Sequence, residues 1–356
     1  MAIVAHSHPF VIGVDAHART HTYAILDSST GELLVCEQFP TTPKGLAHAI
    51  AWAARRTAAD AGTLWVIEGI GTYGARLAAG VVAAGYEVAK APRMNARSRR
   101  GIGKSDPIDA GAIAAAVLPL DTSRLRRPRA DEGARAGLRV LSTARDQLSQ
   151  ERTMNVNALT ALLRVHGLGT DARKPLGASQ VREVSRWRDR EEALALRIAR
   201  DEAVRLAKRI LELEEALKAN EARMTELIRA TPAAPLLEET GIGPVTAAII
   251  ITAWSHLGRV RDEAAFASLA GVSPIPASSG NTVRHRLNRG GDRRLNRALH
   301  TVTMVRMNHH PDTRAYVERR IAEGRSTREI RRCLKRYLAR HLYRRLNALH
   351  AAPEAA

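Results

Sequence analysis

Four carboxylates and one serine carry the patterns in this chain best suited to phosphate chemistry. Asp15 stands in VIGVDAH, Glu68 in WVIEGIG, and Asp106 and Asp109 lie three apart in KSDPIDA. Asp15 and Glu68 sit within or at the end of apolar runs, where a carboxylate loses solvation and needs a partner. Carboxylates that converge across a sheet repel one another unless divalent cations lie between them. Two Mg²⁺ ions held in this way, ~3.5–4 Å apart, clamp the attacking and leaving oxygens of a phosphodiester, and Mn²⁺ can replace them. Each carboxylate also has a plainer reading. Asp106 before Pro107 suits a helix N-cap, with Asp109 at N3 completing a capping-box-like pattern. Asp15 alone could close its strand in a turn, and Glu68 could neighbour an arginine.

The serine lies in Pro276-Ala277-Ser278-Ser279-Gly280-Asn281, followed by Arg284, Arg286, Arg289, Arg293, Arg294 and Arg297. A serine in a glycine-flanked loop can attack phosphate while guanidinium groups stabilise the developing charge. Taken by itself, serine is an ordinary turn residue. A further pattern, Gly241-Ile242-Gly243-Pro244, falls between two helical runs. Glycines there let the turn approach a phosphate, with the next helix aiming its N–H groups at it, in the manner of a helix-hairpin-helix element. The same pattern serves as a helix-helix turn with a glycine C-cap.

The elements that must position these residues follow from hydrophobic period and turn chemistry. Residues 10–26 read as two strands about a polar turn, and 31–40 as a third. Thr42-Pro43 opens a helix that runs through Arg56, with Pro43 near N1. A short strand (64–71), a helix (73–84), a strand (86–91) and a helix from Asp106-Pro107 follow. The order β-β-β-α-β-α-β-α predicts an α/β, ribonuclease H-like domain over 8–130. Residues 131–230 read as helical. A 3/4 repeat from Leu196 to Leu227, with Asn220 as its polar seam position, indicates a coiled-coil helix. Its partner is either the earlier helix (about 134–165) in an antiparallel hairpin or a second copy of the chain. Residues 231–350 read as a mostly α domain carrying the helix-hairpin-helix-like element and the serine loop.

Composition narrows the function. The 356 residues hold 55 Lys and Arg against 36 Asp and Glu, a net charge of +19. From Asn281 to His350, 19 Lys and Arg stand against five Asp and Glu, a net +14. A second basic stretch includes Arg97, Arg99, Arg100 and Lys104. Both stretches point to a polyanion, for which nucleic acid is the commonest candidate. With aromatics at 4%, stacking on single strands is not the obvious mode of binding. The two cysteines, Cys36 and Cys333, exclude a disulfide scaffold. No apolar run reaches the ~20 residues of a membrane span, and no signal peptide is read, so a soluble intracellular protein is expected.

Taken in order, GVDAH, IEGIGTYG, KSDPIDA, GIGPVTA and LAGVSPIPASSGN…RGGDRRLNRAL resemble the DEDD-type insertion-sequence transposases over essentially the whole chain. The resemblance implies a RuvC-like catalytic domain and a C-terminal domain that supplies a serine. It implies recombinases that excise and insert their own element, directed by a structured noncoding RNA that pairs with donor and target DNA. It further implies dimers and tetramers, a transient phosphoserine link, and a prokaryotic cytoplasmic, nucleoid-associated location. Carried over by motif, the metal-site residues are Asp15, Glu68, Asp106 and Asp109, and the nucleophile is Ser279, with Ser278 as its rival. Gly241, Gly243 and the arginines above fall to nucleic-acid binding. His17 is given no role. Two alternatives are kept: a hydrolytic, metal-dependent nuclease of the junction-resolving kind, and a non-enzymatic nucleic-acid-binding scaffold.

Overall fold

The computed structural model describes residues 2–92, 105–129, 133–282 and 285–351. The chain forms two compact units: Met1–Arg129 with His256–Asp262, and Ala130–Ser255 with Glu263–Ala356.

The first unit is built on a five-stranded mixed sheet. Its strands are β1 (Phe10–Ala16), β2 (Thr20–Asp27), β3 (Leu33–Pro40), β4 (Leu64–Ile67) and β5 (Glu87–Lys90), in the spatial order β3-β2-β1-β4-β5. The first three pair antiparallel, and β4 and β5 run parallel to β1. This sheet is compatible with the expected ribonuclease H-like domain. Alternation along β1 sends Ile12 and Val14 to one face and Val11, Gly13 and Asp15 to the other. On the first face, Tyr23, Trp65 and Ile67 join Leu46 and Trp52 of α2 (Pro43–Arg56) and Leu77 and Val81 of α3 (Ala75–Ala83). On the second, Val11, Ala24 and Val66 join Ala110, Ile113 and Ala114 of α4 (Asp106–Ala115). A short helix, α1 (Val4–Ser7), adds Val4 to this second core.

Local chemistry sets the ends of these helices. Thr42 caps α2, its Oγ1 accepting from the Gly45 N–H at 3.1 Å, with Pro43 in the first turn. At α4 the N-cap is Ser105, whose carbonyl accepts the Asp109 N–H at 3.0 Å. The expectation that Asp106 caps this helix is corrected: Asp106 is the first helical residue. Its side chain is therefore not committed to the backbone as an N-cap side chain is.

The second unit is helical. Two long helices, α5 (Gly133–His166) and α7 (Leu194–Arg229), lie antiparallel within one chain. Asn220 donates to the Leu141 carbonyl, Arg152 pairs with Glu214 at 2.6 Å, and Arg209 pairs with Glu151 at 2.7 Å. The repeat on α7 thus finds its partner in α5. At the far end, α6 (Ala178–Val184) closes a core of Leu159, Leu163, Val181, Val184, Ala203 and Ile210. At the near end, α8 (Pro244–Trp254) packs against α5, α7 and α10 (Arg293–His309), which explains its nearly continuous apolar sequence. The helices α9 (Glu263–Leu269), α11 (Pro311–Ala322) and α12 (Thr327–Ala351) and a two-stranded hairpin, β6 (Ile275–Pro276) with β7 (His285–Arg286), complete the unit. No helix among the described residues is long and apolar enough to cross a membrane.

Glu239 ties the Gly241 turn to two helices. It accepts from Arg306 of α10 at 2.7 Å and from His341 of α12 at 3.2 Å, while Arg306 also donates to the Thr240 carbonyl. Burial alone would push its pKa up, but the bonds from His341 and Arg306 outweigh burial and hold the carboxyl below its ordinary value. Such a depressed carboxyl stabilises the fold above its unfolded-state pKa of about 4.3, and the contribution is lost as pH falls through the folded value. Glu239→Gln should therefore destabilise the protein by about 1–3 kcal/mol at pH 7. Urea denaturation should show the gap between variant and parent closing on acidification below about pH 4. A gap that stays constant with pH would contradict this account.

Candidate metal centre and basic surfaces

Asp15 lies near the end of the central strand and is only 6% exposed. A carboxylate buried to that extent requires a proton, a hydrogen-bond donor or a cation. His17, two residues further on, returns to the same side, and its Nε2 lies 3.1 Å from Asp15 Oδ2. The same nitrogen is 3.8 Å from Asp106 Oδ1 at the start of α4. One ligand atom from each of Asp15, His17 and Asp106 falls within 4.8 Å of the others, and both His17 and the Asp106 side chain reach solvent. Among the described residues this is the one such cluster of three.

A single glycine makes the cluster possible. A Cβ on Gly13 would lie 2.1 Å from the Ala110 carbonyl oxygen and 2.7 Å from the Ala114 N. The backbone of α4 therefore rests directly on β1, which brings the first turn of α4 to the end of that strand. Glu68 is the first residue after β4. Its N–H donates to the Val14 carbonyl at 3.0 Å, which sets it beside Asp15 on the neighbouring strand. Its side chain is exposed. Asp109 lies in the first turn of α4 with Asp106. Asp15 and Asp106 are thus brought together as expected, whereas Glu68 and Asp109 flank the close group without joining it. His17 is the member that sequence reasoning left without a role. The usable signal was its spacing from Asp15, since positions i and i+2 of a strand share a face.

Two carboxylates and an imidazole at the exposed end of a buried strand suit a divalent cation that takes oxygen and nitrogen ligands. A cation there would also neutralise the buried Asp15. On the opposite face of the strand pair His21 is buried, and burial pushes its pKa down, so it adds no charge near neutrality.

The serine loop belongs to the helical unit. Ser279 and Thr282 exchange backbone hydrogen bonds at 3.2 Å across Gly280-Asn281. Gly280, at φ +56°, takes the left-handed conformation that a first central hairpin position needs. The Ser279 backbone is thereby fixed at the mouth of a tight turn. Its side chain is exposed and makes no hydrogen bond among the described residues. Ser278 is likewise exposed.

The basic residues divide. Arg97, Arg99, Arg100, Lys104 and Arg284 lie outside the described residues. Arg286, Arg289, Arg293 and Arg297 line one cavity. Arg294 pairs with Asp146 of α5 at 2.7 Å, and Arg297 reaches the same carboxylate at 3.1 Å. Arg294 and Arg297 thus share one carboxylate partner within this unit. At the glycine turn, Gly241 has φ +85°, and a Cβ there would press on the Val302 carbonyl and on Val305 of α10, each 3.1 Å away. Packing alone thus accounts for this glycine. Gly243, the residue before α8, faces open space. The arm before the turn is a short 3₁₀ segment, Ala234–Glu238, rather than a full helix.

Carboxylates gathered at the end of the central strand of such a sheet can hold a metal ion against a phosphodiester. Comparison with known proteins points to transposases. Residues 12–167 match a family described as transposase, and residues 233–318 match the transposase IS116/IS110/IS902 family. A 42 kDa protein of insertion element IS900 from Mycobacterium paratuberculosis is 28% identical, with 96% of this chain and 95% of that protein aligned. A 44.8 kDa protein of insertion element IS116 from Streptomyces clavuligerus is 26% identical over 76% of this chain and 77% of its own. A 43.6 kDa protein of insertion element IS110 from Streptomyces coelicolor is 32% identical over 34% of this chain and 30% of its own. The chain belongs to the DEDD-type insertion-sequence transposases, enzymes that act on DNA.

Two outcomes follow from this geometry. His17→Ala should weaken Mn²⁺ binding about 10–100-fold, with loss of any ¹⁴N coupling in the pulsed electron-spin spectrum of bound Mn²⁺. An unchanged spectrum would exclude His17 from the ion. Gly13→Ala should destabilise the protein by about 1–3 kcal/mol through overpacking and weaken Mn²⁺ binding as well, because α4 must move. Thermal unfolding and an ion titration measure the two effects separately.

Proposed function

We propose that this transposase cuts and rejoins the DNA of its own element through a covalent link to Ser279. Support comes chiefly from the serine loop: a side chain without a hydrogen-bond partner, exposed at a fixed hairpin turn and followed by arginines, in a chain that also carries the acidic cluster. The Oγ of Ser279 attacks the scissile phosphorus. A new P–O bond forms to serine, the P–O3′ bond breaks, and the 3′ oxygen leaves with a proton as a free hydroxyl. A 3′ hydroxyl later attacks the phosphoserine and releases the serine with its proton restored. The link conserves bond energy, so no nucleotide cofactor is needed. Asp15 and Asp106, with His17 beside them and Glu68 and Asp109 flanking, would hold a divalent metal, Mg²⁺ or Mn²⁺, which would supply charge stabilisation at the phosphate. A structured noncoding RNA encoded by the element selects donor and target DNA, and the protein works in the cytoplasm as a dimer or tetramer.

The acidic cluster is equally compatible with water as nucleophile, since it contains no serine. The two readings separate in one experiment. Full-length protein, element-end DNA, transcript from the gene flank and Mg²⁺ are incubated and resolved under denaturing conditions. The proposal expects a DNA-linked protein band that Ser279→Ala abolishes and Ser278→Ala retains, and that Asp15→Asn also abolishes. Cleavage that survives Ser279→Ala without a linked band would establish the hydrolytic nuclease. Omitting the transcript tests guidance: cutting at the same site without it would overturn the role of RNA.

A further inference from the structure

A cavity of about 1000 Å³ opens between α10, α12 and the residues 270–274 and 285–291. Cations reach it from the loop after β7 and from α12, among them Arg286, Arg289, Arg328, Arg332, Lys335 and Arg336. No Asp or Glu lines it among the described residues. Elsewhere in this unit arginines are neutralised in place: Arg294 by Asp146, Arg306 by Glu239, Arg340 by Glu263. Among the described residues Arg297 of this cavity pairs with Asp146, whereas Arg286, Arg289, Arg328, Arg332 and Arg336 have no ion-pair partner. Lys335 Nζ lies half-buried against Asn296 Oδ1 at 2.6 Å, and burial pushes its pKa down. His300, on the same wall, is held below its ordinary pKa by burial and then by the charges of Lys335 and Arg331. So much like charge without a counter-ion is unfavourable in the free protein and is relieved by an anion.

The shape asks for more than an anion. Ala270, Val272, Leu287 and Cys333 give the cavity an apolar floor. One wall is fixed by backbone packing so close that a Cβ on Gly291 would lie 2.4 Å from the Gly271 N. Asn288 holds the loop through the Ser268 carbonyl and the Gly290 N–H. The volume is at the upper end of the ~300–1,000 Å³ that accommodates a drug-sized ligand, far more than a lone phosphate needs. A duplex keeps its bases stacked inside and could offer the cavity only phosphates. An unpaired strand offers phosphates to the rim and bases to the floor. Guanidinium planes can stack on bases where aromatics are missing.

We propose that this cavity holds unpaired nucleotides of a nucleic-acid strand, with phosphates on Arg328, Arg332 and Arg336 and a base against Leu287. The inference extends the DNA-binding role of the family and does not depend on serine chemistry. Few aromatics make ring stacking on single strands not the obvious mode, and here the base is offered Leu287 and guanidinium planes instead.

Cys333 provides the reporter, while Cys36 shares a pocket with Asp106 and reports on the acidic site instead. Full-length protein carrying Ser279→Ala is kept in EDTA, so that neither cleavage nor metal enters the result. It is titrated with a short unstructured DNA strand, the RNA of the same sequence, and the DNA duplex. Alkylation of both cysteines by N-ethylmaleimide is followed by mass spectrometry. The expected result is slowing at Cys333 of about 10-fold or more by an unpaired strand, and none there by the duplex. Protection by DNA alone, RNA alone or both supports the cavity and tells which strand it takes. Equal alkylation with and without either strand overturns the proposal, as does equal protection by duplex.

Two variants separate floor from rim. Leu287 is 54% exposed, so Leu287→Trp fills the floor without disturbing the core. It should weaken strand binding about 10-fold, the magnitude of one base stack, at unchanged salt dependence. Arg332→Ala with Arg336→Ala should lower the slope of log affinity against log salt by about 1.4, for two phosphates on a single strand. Unchanged affinity in folded Leu287→Trp would show that no base enters.

Discussion

Where α4 crosses β1 there is no room for a side chain, and the acidic site depends on that fact. With hydrogen at Gly13, helix backbone meets strand backbone. The helix then presents Asp106 at the level of Asp15, while Ile113 and Ala114 seal the core behind it. The strand is buried and one face of the helix packs directly on it, so the two carboxylates are held by elements in backbone contact. A cation site needs this rigidity, since like charges held close together would otherwise move apart.

The rest of the protein shows two ways of handling positive charge. Along the helical hairpin, arginines pair across the two helices: Arg145 with Glu221, Arg152 with Glu214, Arg209 with Glu151. Charge there fixes register between long helices. Around the cavity of α10 and α12 most residues of the same type stand unmatched among the described residues. Counting arginines does not separate the two populations. Their carboxylate neighbours do: Arg294 and Arg297, in the basic run, are both held by Asp146 of α5.

This contrast explains what could be read from sequence. Period-2 and period-3.6 patterns give the order of strands and helices, because burial of one face dictates them directly. The carboxylates were legible because acidic residues at apolar strands violate that pattern. The heptads of α7 announced a partner but not its identity, since a seam has the same composition whether its mate is α5 or another copy. Asp106 read as a cap because Asp before Pro usually is one, while the preceding Ser105 takes that position in the structure. His17 and Gly13 share the face of Asp15 at spacings of two, but a strand histidine or glycine has no meaning until the overlying helix is known. The cavity was out of reach: Leu287 and Cys333 are neighbours only through the packing of α10 on α12.

The hairpin has a further consequence for how the chain is ordered. At its base Gly137 packs against Leu227, far apart in sequence. Closing so long a loop in one step would sacrifice much chain entropy before any contact repaid it. The distal end offers a shorter route, because Leu163 and Ala199 belong to a small core that α6 completes by itself. Once that tip is closed, each successive pair from Arg209–Glu151 to Asn220–Leu141 adds only a few residues of new order. Topologically the longest-range contacts of this unit are the end of a zipper, each step local to the one before.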